Sequence, residues 1–519
     1  MPALLWSPFH RDNRPVIQTV VLLAFLVAAC TANSRLPDAS PPHTVTPEIL
    51  PAETNNTPTS PSGIQPTPAG AAATVDSISQ PTPTTSAPVP LPHYTLTATL
   101  NYAAHFLQVD ERIDYTNSSA DTLTELVLMV DAVYFPGTFT LKSLTWVDSE
   151  ANPEVTWDNA ILHLQLPQPL PPGEQVSLSL SYTLNLPSPV PSEQVRPIPF
   201  GYTARQTNLV DWYPFIAPYI SGEGWIANQA GFFGEHLAYA VSDFEISIRL
   251  EDALTGLIVA ASSPAEEVDG WLHYQMEKAR SFAWSVSHDY IVAATQVGET
   301  TVTSYTFPVH AAAGETVLQA TADALTLFSE LFGPYPRRTL SVVEADFLDG
   351  MEYDGLYFLS KGFYNLYQGT PGEYLVAISA HETAHMWWYA LVGNDQAMEP
   401  WLDEALCTYS ELLFYERYHP EAIGWWWAYR INYYEPRGWV NGSIYNSAGY
   451  RAYREAVYLN GAVFLDRLRS EIGPDVFMRF LNAYATQYAY QIATTGNFFS
   501  LLKEFSNKDL SDLQSQFFQ

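Results

Sequence analysis

The chain has 519 residues, 47% of them hydrophobic, with a mean hydropathy of −0.06 and a formal net charge of −32 at pH 7. So acidic a balance argues against nucleic acid and anionic lipid surfaces as partners of the folded body. With only 2 cysteines there is no disulfide framework, so the fold must rest on packed cores.

In chain order, Arg11 and Arg14 precede an apolar run from Val16 to Ala29, and Val27-Ala28-Ala29-Cys30 reads as a lipoprotein cleavage box. Residues 1–29 are therefore expected to be an export signal, with Cys30 acylated as the new N-terminus. The apolar run is shorter than the roughly 20 residues a spanning helix needs. An uncleaved anchor is the alternative, and both readings leave the bulk of the chain outside the cytoplasm on a membrane tether. Residues 30–92 are rich in Pro, Thr, Ser and Ala, as in Pro81-Thr82-Pro83-Thr84-Thr85. Such a segment buries too little apolar surface to offset its ordering entropy, which predicts an extended spacer.

From 93 to 298 the apolar residues recur at every second position. Val176, Leu178, Leu180, Tyr182 and Leu184 alternate with Ser and Thr after a Pro171-Pro172-Gly173 turn; Phe244, Ile246, Ile248, Leu250 and Leu126, Leu128, Val130 repeat the period. This predicts an antiparallel β-sandwich-like domain. From 299 to 519 the period lengthens. Leu318, Leu325, Phe328 and Phe332 form a helical stripe ended by Gly333-Pro334, and Thr339 to Glu344 reads as a strand. Helices over about 373–391 and 402–418 follow. The expected architecture is multidomain, a β-rich domain ahead of a mostly helical α+β domain.

The second helical stretch carries His381-Glu382-Thr383-Ala384-His385. Residues four apart share one helix face, so His381 and His385 can present two imidazole nitrogens to one metal ion. Glu382 is rotated about a quarter turn from them, within reach of a metal-bound water without being a ligand. With 12 histidines in the chain, chance produces this pattern in roughly one or two such chains per hundred. Two histidines on a surface helix would be the alternative. Glu404, on the next predicted helix after the turn Val392-Gly393-Asn394-Asp395, weighs against it. Two histidines and one carboxylate leave a fourth position open, the ligand set of a catalytic rather than a structural zinc. One zinc ion per chain is expected. Cys407, on the Glu404 helix, reads as a small buried core residue, and Trp387-Trp388 as packing.

Three separated segments resemble the membrane alanyl aminopeptidase family of zinc metallopeptidases, whose catalytic domain is thermolysin-like. One is the histidine motif with Glu404. Another is Asp349-Gly350-Met351-Glu352-Tyr353, similar to the family's Gly-Ala-Met-Glu-Asn element. The third is Tyr458-Leu459-Asn460-Gly461-Ala462, similar to its Tyr-x-Lys-Gly-Ala element. In the β half, Asp211-Trp212-Tyr213-Pro214 and Phe282-Ala283-Trp284-Ser285 look familial. The resemblance implies a peptidase in which His381, His385 and Glu404 hold zinc, Glu382 is the general base and Tyr458 hydrogen-bonds the oxyanion, with Tyr453 as a helper. It also implies that Gly350, Met351 and Glu352 line the substrate site, with Glu352 on the free α-amine of a peptide. Met386, Ala405 and Asn460 depart from the usual family residues. So does the β half, which offers only Gln206 as a second amine-binding group. Three readings therefore stay open: an extracytoplasmic aminopeptidase, a zinc endopeptidase, and a non-catalytic surface lipoprotein with a relict site.

Overall fold

The computed structural model describes residues 90–188, 198–251 and 256–519; the expected signal segment and Cys30 lie outside them. In the β half, a seven-stranded sheet runs in the order Glu266–Val268, Trp271–Ala279, Ser242–Leu250, His93–Asn101, Phe106–Thr116, Gln175–Asn185, Phe139–Trp146. Every pair is antiparallel except His93–Asn101 with Ser242–Leu250, which run parallel. Tyr94, Leu96, Ala98 and Leu100 point inward and the threonines between them outward, the two-residue period read in the sequence. A four-stranded sheet (Phe215–Ile216, Leu123–Met129, Ile161–Leu170, Glu154–Asp158) shares their core, so two sheets pack face to face. A further four-stranded sheet joins Ile258–Ala261, Trp284–Ser287, Thr207–Leu209 and Gly201–Tyr202. Around it the two familial β-half segments meet: Trp212 Nε1 donates to the Phe282 carbonyl at 3.1 Å, and the Trp212 and Trp284 rings pack edge to face. They are structural.

The helical half is built on a five-stranded sheet, in the order Ile291–Val297, Thr300–Thr306, Thr339–Ala345, Leu356–Ser360, Gly350–Tyr353. Helix α1 (Ala311–Phe332) makes the crossover between the parallel strands Thr300–Thr306 and Thr339–Ala345. It stops at Gly333, whose φ of 110° a side chain would oppose. Among the described residues the strand Gly350–Tyr353 is an edge, paired with Leu356–Ser360 alone. Helix α2 (Lys361–Leu366) follows, started by the Ser360 side chain accepting from the Gly362 amide. Beyond it lie helix α3 (Tyr374–Ala384) and helix α4 (Trp401–Tyr418).

Helix α3 is shorter than its apolar run suggests, ending at Ala384 with His385 as its C-cap. The residues after it turn back on themselves, and a distant arginine holds the carbonyls at the end of that turn. Arg280, from the β half, donates through Nε to Ala390 (3.1 Å) and through Nη2 to Leu391 (3.3 Å) and Gln491 (2.8 Å). Trp387 and Trp388 are fully buried against Phe328, Phe332 and Tyr484. Both are packing residues, as read.

Candidate metal and catalytic site

Helices α3 and α4 cross so that three side chains converge. Nε2 of His381 lies 3.2 Å and Nε2 of His385 3.7 Å from Oε2 of Glu404, all three residues being buried. Ligands placed tetrahedrally at about 2.0–2.1 Å from zinc stand roughly 3.3 Å apart, so these spacings fit such an ion. Glu352, Glu382 and His385 also come within 4.8 Å of one another. In that second grouping His385 Nδ1 is 4.0 Å from Glu352, but Nδ1 already faces the Trp388 carbonyl at 3.2 Å. Geometry favours the first set.

Each histidine is oriented from behind. His385 Nδ1 donates to the Trp388 carbonyl, and His381 Nδ1 donates to Oε1 of Glu411 at 3.0 Å, which leaves both Nε2 lone pairs for a metal. Glu411 is itself held by Arg430 (2.7 and 2.9 Å) and by Trp426 Nε1 (2.9 Å). It lies seven residues after Glu404, two turns along one helix face. That spacing was the available sequence signal, and the sequence reading missed it.

Glu382 is buried, and its Oε2 has no hydrogen-bond partner among the described residues. Its other oxygen lies so close to Gly350 that a Cβ there would overlap the carboxylate. Glycine lets the edge strand pass the Glu382 carboxylate without displacing it. Burial, then the neighbouring carboxylates, pushes the pKa of Glu352 and of Glu404 well above the usual range; for Glu382 burial does so against the His381 charge. A nest of buried carboxylates beside two imidazoles is an environment that a divalent cation stabilises. Burial lowers the His385 pKa, with His381 adding to it, so its imidazole is neutral and fit to ligate.

Tyr458 sits in a π-helical turn, Glu455–Asn460, a widening of the helix often found at functional sites. Its hydroxyl donates to Oε1 of Glu404 at 2.6 Å, and its ring stacks parallel to His381 with centroids 6.1 Å apart. Burial, then nearby acidic groups, raises its pKa well above 10, keeping the phenol a donor. Tyr453 is buried behind it, edge-on at 5.8 Å.

These groups line a cleft of about 310 Å³. Glu352 lies in its wall, with Gln396 Nε2 donating to Oε1 at 2.9 Å. Met351 alternates to the other face of the strand and packs into the β-half core. Gln206 is not in the cleft. It is fully buried, donating to Tyr290 and accepting from the Asp346 amide, and so corrects the expectation that it offers a second amine-binding group. The β half delivers Glu235 instead. Gly234 makes this possible: at φ 76°, a Cβ there would meet Ile444 at 2.6 Å. Glu235 lies outside the strand period, so periodicity could not find it. Cys407 is a free, fully buried thiol in the core.

Residues 317–517 match the family model described as the Peptidase family M1 domain. Aminopeptidase M1-B of Oryza sativa subsp. japonica is 29% identical over 242 residues, 44% of this chain and 28% of that protein. Aminopeptidase M1 of Arabidopsis thaliana is 27% identical over 217 residues, 39% of this chain and 25% of that protein. The chain thus spans under a third of the length of these curated relatives. Among solved structures, the M1 zinc metallopeptidase of Deinococcus radiodurans superposes with a TM-score of 0.59 at 18% identity, covering 83% of this chain and 93% of that one. A mutant of that enzyme bound to a Tyr-Ser-Ala substrate gives the same TM-score. At this identity the likeness carries the two-domain fold.

Proposed function

We propose that this chain, whose residues 317–517 form a peptidase family M1 domain, is a zinc-dependent aminopeptidase that removes N-terminal residues from peptides. The observation that carries the reading is one cleft joining His381, His385 and Glu404 to the unpartnered Glu382 carboxylate, with Glu352 and Glu235 in its wall.

His381, His385 and Glu404 would hold the ion, which when bound supplies polarisation of a carbonyl and acidification of water. Glu382 takes the proton of the attacking water and returns it to the leaving amine; its buried, uncommitted oxygen suits both transfers. Tyr458, kept protonated, donates to the oxygen on which negative charge grows. Glu352 and Glu235 pair with the substrate ammonium, so cleavage is counted from the N-terminus. The outer edge of Gly350–Tyr353, the end strand of its sheet, offers backbone groups to an extended peptide.

The decisive experiment incubates purified protein with aminoacyl anilides, with and without a chelator, and with N-acetylated peptides. Chelator-sensitive cleavage that acetylation abolishes is expected. Cleavage of acetylated peptides would instead support an endopeptidase, and no cleavage with zinc present would remove the enzymatic reading. The proposal places the protein outside the cytoplasm, tethered through Cys30; the reading rests on Arg11, Arg14, the Val16–Ala29 run and the cysteine after it. Cys30→Ser should release it from membranes, and retention of the variant would count against the lipid anchor.

A further inference from the structure

The cleft contains a guanidinium that no carboxylate among the described residues neutralises. Arg454 lies over the Tyr434 ring at 4.2 Å, and its Nε is buried without an acceptor among the described residues. Its two arginine neighbours are both committed, Arg430 to Glu411 and Arg451 to Glu455. In a chain with 55 acidic and 23 basic residues, counter-charges are plentiful, so an uncommitted cation in a cleft wall calls for an occupant. A hydrogen bond to the Tyr434 side chain uses one of the donors that a guanidinium presents and leaves the Nε side of the fork open.

Its position identifies that occupant. Arg454 precedes Tyr458 by one helical turn on the same cleft wall, and Tyr458 touches Glu404 and stacks on His381. One turn rises about 5–6 Å, and an extended peptide advances about 3.3 Å per residue. The backbone positions of Arg454 and Tyr458 are therefore separated by about the length of two extended peptide residues. Glu352 and Glu235 also line the cleft, so it presents both carboxylates for an ammonium and a cation for an anion.

We propose that Arg454 binds the C-terminal carboxylate of short peptides, making the cleft selective for di- and tripeptides with a free acid terminus. This rests on the aminopeptidase reading above. Guanidinium and carboxylate match as two parallel hydrogen bonds, a geometry that a C-terminal amide cannot reproduce.

The test measures binding, without turnover, to the zinc-loaded Glu382→Gln protein by calorimetry. Trialanine is expected to bind about tenfold more tightly than trialanine amide, the worth of one charge-assisted bond. Adding Arg454→Gln should bring that ratio close to one, and Arg454→Lys should restore part of it. Equal affinities in the Glu382→Gln parent, or an unchanged ratio in the glutamine variant, overturn the proposal. An aspartate side chain could supply the same carboxylate, so Ala-Ala-Asp amide is included; binding equal to that of trialanine would overturn the terminal assignment. Should Arg454→Gln fail to fold, hexa-alanine decides, since its acid and amide should bind alike once the terminus lies beyond Arg454. A persistent preference at that length refutes the claim. Wild-type turnover of any free-amine peptide is scored separately: its absence sinks the aminopeptidase reading, while the binding ratio judges Arg454.

Discussion

Glu411 takes no part in the reaction, yet its replacement by glutamine is expected to damage both the fold and the metal site. The carboxylate is fully buried and accepts from Arg430 at 2.7 and 2.9 Å, Trp426 at 2.9 Å and His381 at 3.0 Å. Burial alone would raise its pKa; Arg430 and His381 outweigh burial and hold it below the usual value. Glu411→Gln keeps the volume and removes the charge. Arg430, with only 5% of its side chain exposed, is then a buried cation without its carboxylate. Breaking such a pair costs about 3–5 kcal/mol, and the remaining amide oxygen places the loss near the lower end. His381 also loses the anion that fixes its ring, which lowers metal affinity about 10–100-fold, or roughly 1.4–2.7 kcal/mol. Denaturant unfolding of chelator-stripped protein reads the first effect, and competition against a chromophoric chelator reads the second. The double variant Glu411→Leu with Arg430→Met removes both charges. It should recover much of the stability while metal affinity stays low. Wild-type stability and zinc affinity in Glu411→Gln would refute this reasoning, as would recovery of affinity in the double variant.

Gly350→Ala should drive the Glu382 carboxylate from its place and lower kcat at least tenfold, since the added Cβ overlaps it; unchanged kcat would show that the strand gives way freely. Tyr458→Phe should cost about 10²–10³-fold in kcat with KM and zinc content nearly unchanged, the cost of one oxyanion donor; a loss confined to KM would remove that role. Glu235→Gln should raise KM for free-amine substrates, whereas Gln206→Ala should lower thermal stability and leave KM alone; the reverse pattern would restore Gln206 to the cleft. Asp346 is pulled in opposite directions: burial raises its pKa, but Arg205 and Lys361 prevail and hold it at about 2. Because the folded value lies below the unfolded one, its contribution is present above about pH 4 and disappears as pH falls toward 2. It amounts to about 2 kcal/mol at pH 5. The stability gap between wild type and Asp346→Asn should therefore narrow from pH 5 to pH 3, and a constant gap would count against the linkage.

Much of the site was legible because its chemistry is local in sequence. His381 and His385 share a face by helix geometry alone, and α4 extends from Trp401 to Tyr418, close to the stretch read from its composition. The strand period likewise predicted Gln175–Asn185 and Ser242–Leu250 almost residue for residue, because one face of each is buried and the other is not. What was not legible depends on partners far apart along the chain. Helix α3 stops at Ala384, and the turn that follows is anchored at Ala390 and Leu391 by Arg280, more than a hundred positions away. A run apolar on every side gives periodicity nothing to read.

The sequence by itself determined which residues can ligate a metal, which can move a proton, and which segments must be strand or helix. These follow from side-chain chemistry and from the fixed repeat of each regular structure. Only the tertiary structure decided that Gln206 is a buried structural residue, that Glu235 reaches the cleft, that Glu411 stands behind His381 and that Arg454 has no carboxylate partner among the described residues. Those outcomes depend on which distant side chain fills a given space and on which buried charge is already paired. No local pattern records either.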